Sequence, residues 1–333
     1  GGMKAVVWTE LLQASIYLTG GISAIVLIGQ AVDGGWTTIL AQAGAAGKLQ
    51  GIDWYTGFDR PHTMFAGIIG GAFLAMASHG TDQIIVQRLL SSRSLKQAQL
   101  AIIGSGFAVF AQMALFLMIG LGLWVVYGGQ TFATTDQIFP TFIIERMPHG
   151  LTGLIVAAII AATMSTHSGA INALAASSTY DIYLPFTGRS AEDPRTLRVS
   201  KLFALVWGIA LTAGALLFKE QGTPVVVIAL SIASFTQGGL LGGFFLGLFW
   251  PRAIQRDAIL GMSVGISCMA FIVFAKQLVA AYPALEPTLH GVASIAWPWY
   301  VLIGLCITFV TGALSSFTHA VPTAPRTLQG NRS

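Results

Sequence analysis

Residues 151–180 read LTGLIVAAIIAATMSTHSGAINALAASSTY, a run with no Lys, Arg, Asp or Glu. A helix rises about 1.5 Å per residue, and about 20 apolar residues cross the hydrocarbon core of a bilayer, so the run reads as a membrane-spanning helix. Taken every fourth residue, it gives Ala157, Ala161, Ser165, Gly169, Ala173 and Ser177, beside a second row of Ala158, Ala162, Thr166 and Ala170. One face is small throughout, which in lipid lets helix backbones approach closely, so the alanines and the glycine are expected to pack. Ser165 and Thr166 stand three and four residues after Ala162, which puts two hydroxyls beside one carbonyl oxygen. Two readings of that cluster are open. Both hydroxyls bond back to carbonyls one turn earlier, as Ser and Thr do in membrane helices, or the three oxygens hold a hard cation such as Na+.

The rest of the chain has the same character. Of 333 residues, 54% are hydrophobic and 9% charged, and the mean hydropathy is positive. Soluble domains carry about a quarter charged residues, so most of this surface is expected to face lipid rather than water. The net charge of +4 comes from basic residues set singly between apolar runs, which fits membrane topology and excludes a nucleic-acid partner. Cys268 and Cys306 lie inside apolar runs, so neither a disulfide framework nor a zinc site is indicated.

Eight segments are long and apolar enough to span, at about residues 5–32, 63–87, 99–127, 151–180, 199–218, 223–250, 257–281 and 296–318. Alternating the loops places Lys4, Arg88, Arg93, Lys96, Arg189, Arg195, Arg198, Lys201, Arg252, Arg256, Arg326 and Arg332 on one side. The other side keeps Lys48, Arg60, Arg146, Lys219 and Lys276. By the positive-inside rule both termini are then cytoplasmic in a multi-pass plasma-membrane protein. The loops at 33–62 and 128–150 face outward, and residues 319–333 read as a disordered cytoplasmic tail. The chain opens at Gly1 on an apolar helix without an initiator methionine or a signal-peptide pattern, and reads as a fragment lacking its N-terminal part.

Ionisable residues in membrane spans are costly and invite a functional reading. Glu10 follows Trp8-Thr9 near the start of the first span, where it is either an interfacial carboxylate or a ligand. Asp82 follows His79-Gly80-Thr81, as a helix cap or the mouth of a pathway, and Gly67, Gly70 and Gly71 and then Ser78-His79-Gly80 mark a place for helix interruption. Ser231, Ser234, Thr236 and Gln237, ahead of Gly238, Gly239, Gly242 and Gly243, mark a second cavity-lining stretch.

These stretches resemble the sodium/solute symporter family, which includes sodium-coupled sugar, vitamin, proline and sialic acid transporters. The resemblance rests on residues 1–13 (GGMKAVVWTELLQ), 80–88 (GTDQIIVQR), 161–183 ending in Asp181-Ile182-Tyr183, and 246–250 (LGLFW). It implies an all-α membrane core of two inverted five-helix repeats with broken first and sixth helices. Residues 1–32 would be the fifth core helix, 33–62 an external loop, 63–250 the second five-helix repeat and 251–318 two peripheral helices. The first four core helices would be missing, leaving this part inactive alone and unable to bind sodium tightly. The family's sodium site matches Ala162, Ser165 and Thr166. A second sodium site found in some members matches Glu10, Ser165 and Ser168, with Glu in place of the usual Asp and Gly169 in place of a third hydroxyl. Ser78 and His79, with Ser231, Ser234 and Gln237, are candidates for the substrate cavity, and Asp82 and Asp181 for a gate or pathway. Ser78 stands where sugar carriers have an aromatic residue and Ala75 where an amide is expected, while Gly80-Thr81-Asp82-Gln83 is closer to the sugar branch. The expected activity is alternating-access symport of Na+ with a small polar solute of the sugar, vitamin or organic-anion class, without enzymatic turnover. The other classes considered are an intramembrane enzyme and a sodium-responsive sensor.

Overall fold

The computed structural model describes residues 2–128, 130–217 and 224–319, except for the side chains of residues 2–6, 83, 84, 87 and 88. In chain order the helices begin with α1 (Gly2–Ala31), α2 (Gly35–Ala45), α3 (Gly71–Thr81), α4 (Gln83–Leu90), α5 (Leu95–Val126), α6 (Ile138–Arg146) and α7 (His149–Ser177). They continue with α8 (Leu184–Thr187), α9 (Pro194–Leu217), α10 (Val225–Phe249), α11 (Gln255–Ala281), α12 (Glu286–Ala293) and α13 (Tyr300–Ser315). Wider π turns precede α3 at Ala66–Gly70 and follow α7 at Ser178–Tyr183. Among the described residues seven helices, not eight, are long and apolar enough to cross a membrane. The exception is the second expected span. It is cut into the π turn, α3 and α4, because Asp82 leaves the helix at φ −74° and ψ 115° and its carboxylate turns to the Ile85 N–H of α4. Of the interruption expected over Gly67, Gly70 and Gly71 and then Ser78-His79-Gly80, the first part coincides with the π turn and the second falls two residues later, at Asp82.

The chain forms two compact units. One comprises Gly1–Leu49 and Ala108–Thr223. Its core gathers Ile28, Ile39, Ile119, Phe142 and Ile155. The stretches read as plain outer loops contain α2 and α6, each too short to span, and both contribute to this core. Trp36 of α2 donates its indole N–H to the Ile25 carbonyl at 3.0 Å. Gly20 of α1 lies under Ile155 of α7, where a Cβ would stand 2.9 Å from its terminal carbon. Trp207 of α9 donates to the Ser178 hydroxyl at 2.9 Å, fixing α9 to the π turn.

The other unit comprises Gln50–Phe107 and Pro224–Ser333. Here α10, α11 and α13 pack backbone to backbone through glycine. A Cβ on Gly238 would stand 2.9 Å from the Val301 carbonyl oxygen, and one on Gly261 would stand 2.5 Å from that of Thr308. These glycines are packing surfaces, and the α10 stretch read as cavity-lining is closed over Gly238, Gly239 and Gly242. The ends of α11 and α13 are tied by Asp257, which is 0% exposed. Its carboxylate accepts the Ile254 N–H at 2.9 Å, the Ser315 hydroxyl at 2.6 Å and the His319 imidazole at 2.8 Å. Large apolar side chains stay exposed along the long helices, Phe107 at 74% and Leu117 at 75% among them. Such a surface is stable against acyl chains and not against water. The protein is a multi-pass integral membrane protein, and residues 320–333 of the expected tail lie outside the described residues.

Candidate functional site

The middle of α7 is regular helix, without Pro and with Gly169 as its lone central glycine, so the side chains of residues 162–168 point as helical spacing dictates. Ile155, Ala162 and Thr166 share a face, because steps of seven and four residues return nearly to the same angle. Ile155 is the residue that packs on α1, so the hydroxyl cluster stands on the α1 side of α7. Ala162 is half-buried, while Ser165, Thr166, His167 and Ser168 are exposed. The row from Ala157 through Ala161, Ser165, Gly169, Ala173 and Ser177 is exposed along its length, contrary to the packing expected of it. A Cβ on Gly169 would meet nothing within 4 Å. Close approach of small faces needs a second helix, and among the described residues none covers this one.

The two readings left open by the sequence differ in what the hydroxyls bond. Several on the long helices turn back to carbonyls of the preceding turn, Thr163 to Ile159 at 2.8 Å, Thr179 to Ala175 at 2.7 Å and Thr212 to Gly208 at 2.8 Å, while the buried Thr308 hydroxyl has no partner among the described residues. Ser168 also turns back, donating to the Ser165 carbonyl at 3.0 Å. Ser165 and Thr166 do not, and their hydroxyls make no hydrogen bond among the described residues. Helical spacing puts the Ala162 carbonyl one turn before them on the same side. A small hard cation takes such donors, two neutral hydroxyls and a carbonyl dipole, and each hydroxyl can turn a lone pair outward without losing a bond it already has.

The remaining candidates divide by their partners. Glu10, half-buried on α1, is engaged in an interaction of its own. Asp181, exposed in the π turn, accepts the Ser177 hydroxyl at 2.6 Å. Asp82 caps α4, the bland reading considered for it. In the second unit Ser78 and His79 both turn to the Ala75 carbonyl, at 3.2 and 3.0 Å, and meet each other at 2.9 Å. Ser231 bonds to the Val227 carbonyl and Ser234 to that of Leu230, both at 2.7 Å. Gln237 differs, since its side-chain oxygen is buried without a donor. α3 and α10 meet at Ala77 and Leu241, one turn beyond Gln237, so the five substrate candidates occupy neighbouring helices without bonding across them. Sequence reading missed the open indole N–H of Trp299, buried beside Phe58 and Ala66; the Trp-Pro-Trp turn at 297–299 was its signal. A nucleophile and base pair is not formed at α7, where Ser168 donates to a carbonyl and not to His167.

A family model described as the sodium:solute symporter family matches residues 1–265. The chain is 31% identical to the sodium-dependent multivitamin transporter of Oryctolagus cuniculus over 97% of its own length and 51% of that protein. It is 29% identical to the human sodium-coupled monocarboxylate transporter 1, over 87% of the chain and 48% of that protein. The human sodium/iodide cotransporter is 28% identical over 89% of the chain and 46% of its own length. The chain thus spans about half the length of the curated relatives it matches. Among solved structures, a Na+-coupled sialic acid symporter in a substrate-bound outward-open state superposes with a TM-score of 0.74 at 25% identity. That match covers 96% of this chain and 64% of the other.

Proposed function

The chain belongs to the sodium:solute symporter family, and from that premise we propose that it carries the sodium-binding helix of an alternating-access carrier in the plasma membrane, with both ends of the chain cytoplasmic. Na+ entering down its gradient, worth about 2.3 kcal/mol per charge per 100 mV, drives uptake of a small polar solute. The observation that carries this reading is the pair of unengaged hydroxyls, Ser165 and Thr166, flanked by Thr163 and Ser168 whose hydroxyls are bonded. Ala162 supplies the carbonyl ligand. The resemblance assigns further ligands to the first core helix, and the uncovered small face of α7 is where such a helix would lie.

A second sodium site at Glu10, Ser165 and Ser168 has a register argument in its favour. Counted with the interrupted segment 63–87 as one crossing, which also keeps both ends on one side, α1 and α7 run antiparallel. Counting from the Gly20–Ile155 contact, ten residues back along α1 and ten forward along α7 bring Glu10 level with Ser165. Ser168 keeps lone pairs for a cation even while it donates its proton to a carbonyl. For the solute, the resemblance makes Ser78, His79, Ser231, Ser234 and Gln237 candidates for the substrate cavity, and Asp82 and Asp181 candidates for a gate or pathway. Two of the relatives are named for monocarboxylates and sialic acid, which favours the organic-anion end of the solute class over a neutral sugar.

Only a ligand with different affinities for two states shifts their populations, so Na+ must favour the outward-open, substrate-competent form. The test is uptake of a carboxylate panel by the complete protein in sodium-free vesicles, with and without sodium outside. Ser165→Ala and Thr166→Ala are expected to raise the sodium concentration for half-maximal uptake at least tenfold. Unchanged sodium dependence removes the assigned site.

A further inference from the structure

The basic stretch after α7 has no part in the cation site, and its acids are already engaged. Asp193, just ahead of α9, accepts the Arg195 backbone N–H at 2.8 Å and the Arg189 guanidinium at 3.0 Å. These bonds, the backbone one foremost, hold its carboxyl below the usual carboxylate range. Glu192 is taken by the Ser190 hydroxyl. Arg195, Arg198 and Lys201 are left exposed on the first two turns of α9, and they form no salt bridge among the described residues.

Below them the helix changes character without changing face. Steps of three, four, three and four residues run from Arg195 through Arg198, Leu202 and Leu205 to Ile209, so all five lie on one stripe. Its apolar members are 57%, 60% and 62% exposed. Trp207, on the opposite side, is bonded to Ser178, and Gly208, on the flank between, packs against Ile171. The span begins at Pro194, so the three cations stand at headgroup depth and the stripe at acyl-chain depth.

We propose that this face of α9 binds an anionic phospholipid, its phosphate between Arg195 and Arg198 with Lys201 alongside and an acyl chain along Leu202, Leu205 and Ile209. Guanidiniums match a phosphate with paired donors, and uncompensated cations ahead of an apolar stripe have the polarity of a phospholipid. A free phosphate would use only the cationic end. A lipid uses both.

The test is native mass spectrometry of the purified chain mixed with equal amounts of phosphatidylglycerol and phosphatidylcholine, read as the ratio of bound lipids. Phosphatidylglycerol should be preferred, and Arg195→Gln or Arg198→Gln should each cut the ratio about fivefold, the effect of one basic residue near an anionic surface. The triple variant with Lys201→Gln should abolish the preference, and Arg195→Lys with Arg198→Lys should restore most of it. Arg93→Gln with Lys96→Gln, two exposed cations removed elsewhere, should leave it intact. Equal binding of the two lipids overturns the proposal, as does an equal loss in the Arg93/Lys96 control, which would mean general charge attraction. Complete displacement of the lipid by millimolar inorganic phosphate would also overturn it, because the site would then recognise phosphate alone.

Discussion

α10 and α7 are both lined with small residues, yet they use them in opposite ways. On α10, Gly238, Gly239 and Gly242 are buried, and the backbone of α13 with the side chains of Ile266 on α11 and Thr308 on α13 fills the space that side chains would need. On α7 the small row is bare, and two of its hydroxyls keep their bonding capacity in reserve. A stripe of small residues thus signals close approach without saying what approaches.

Substitution at glycine should break that comparison most sharply if it is wrong. Gly261→Val drives carbon into the Thr308 carbonyl, and overpacking of that severity is expected to cost about 3 kcal/mol or more, read as loss of folded protein in a detergent melt. Gly169→Ala should shift the same melt by no more than about 1 kcal/mol, in the stabilising direction, since its Cβ has open space and Ala is the better helix former. Equal effects at the two sites would mean that α7 is packed after all.

Next in size is Asp257. Alanine there strands three half-buried donors, and about 2 kcal/mol is expected to be lost, measured as earlier unfolding with faster hydrogen exchange at the end of α13. Thr308 is the contrasting case, since its hydroxyl is buried without a partner. Thr308→Val keeps the shape and removes the orphan, so stability should hold or rise by up to about 1 kcal/mol.

The smallest effect concerns the cap of α9. Asp193 has a depressed carboxyl, so its contribution is complete above the unfolded-state value near about 3.9 and is lost only as the pH falls through the lower folded-state value. Protection of the amides at the start of α9, relative to their intrinsic exchange rates, should therefore be flat across neutral and mildly acidic pH and drop only in strong acid. Asp193→Asn should show the lowered protection throughout.

Much of the fold was legible because one quantity, uninterrupted apolar length, decides membrane spans. That rule located the spans, and it counted residues 63–87 as one helix since hydropathy does not register a capping Asp82. It was also silent on α2 and α6, which are too short to span. The turn into α2 needs left-handed backbone at Gly34 and Gly35, with φ of 84° and 61°, and the adjacent glycines were the visible trace of it. At the site, the spacing of Ala162, Ser165 and Thr166 was plain. Whether the hydroxyls were engaged was not, because back-bonding and cation binding draw on the same helical geometry and differ only in the rotation of a hydroxyl.

The central claim concerns what those two hydroxyls are kept for. Equilibrium binding of radioactive sodium to the complete protein, with Thr166→Val set against Thr163→Val one turn away, addresses it directly. The account predicts at least tenfold weaker binding for Thr166→Val and little change for Thr163→Val, whose hydroxyl is already spent on the Ile159 carbonyl. Equal sodium affinity in the two variants would contradict it.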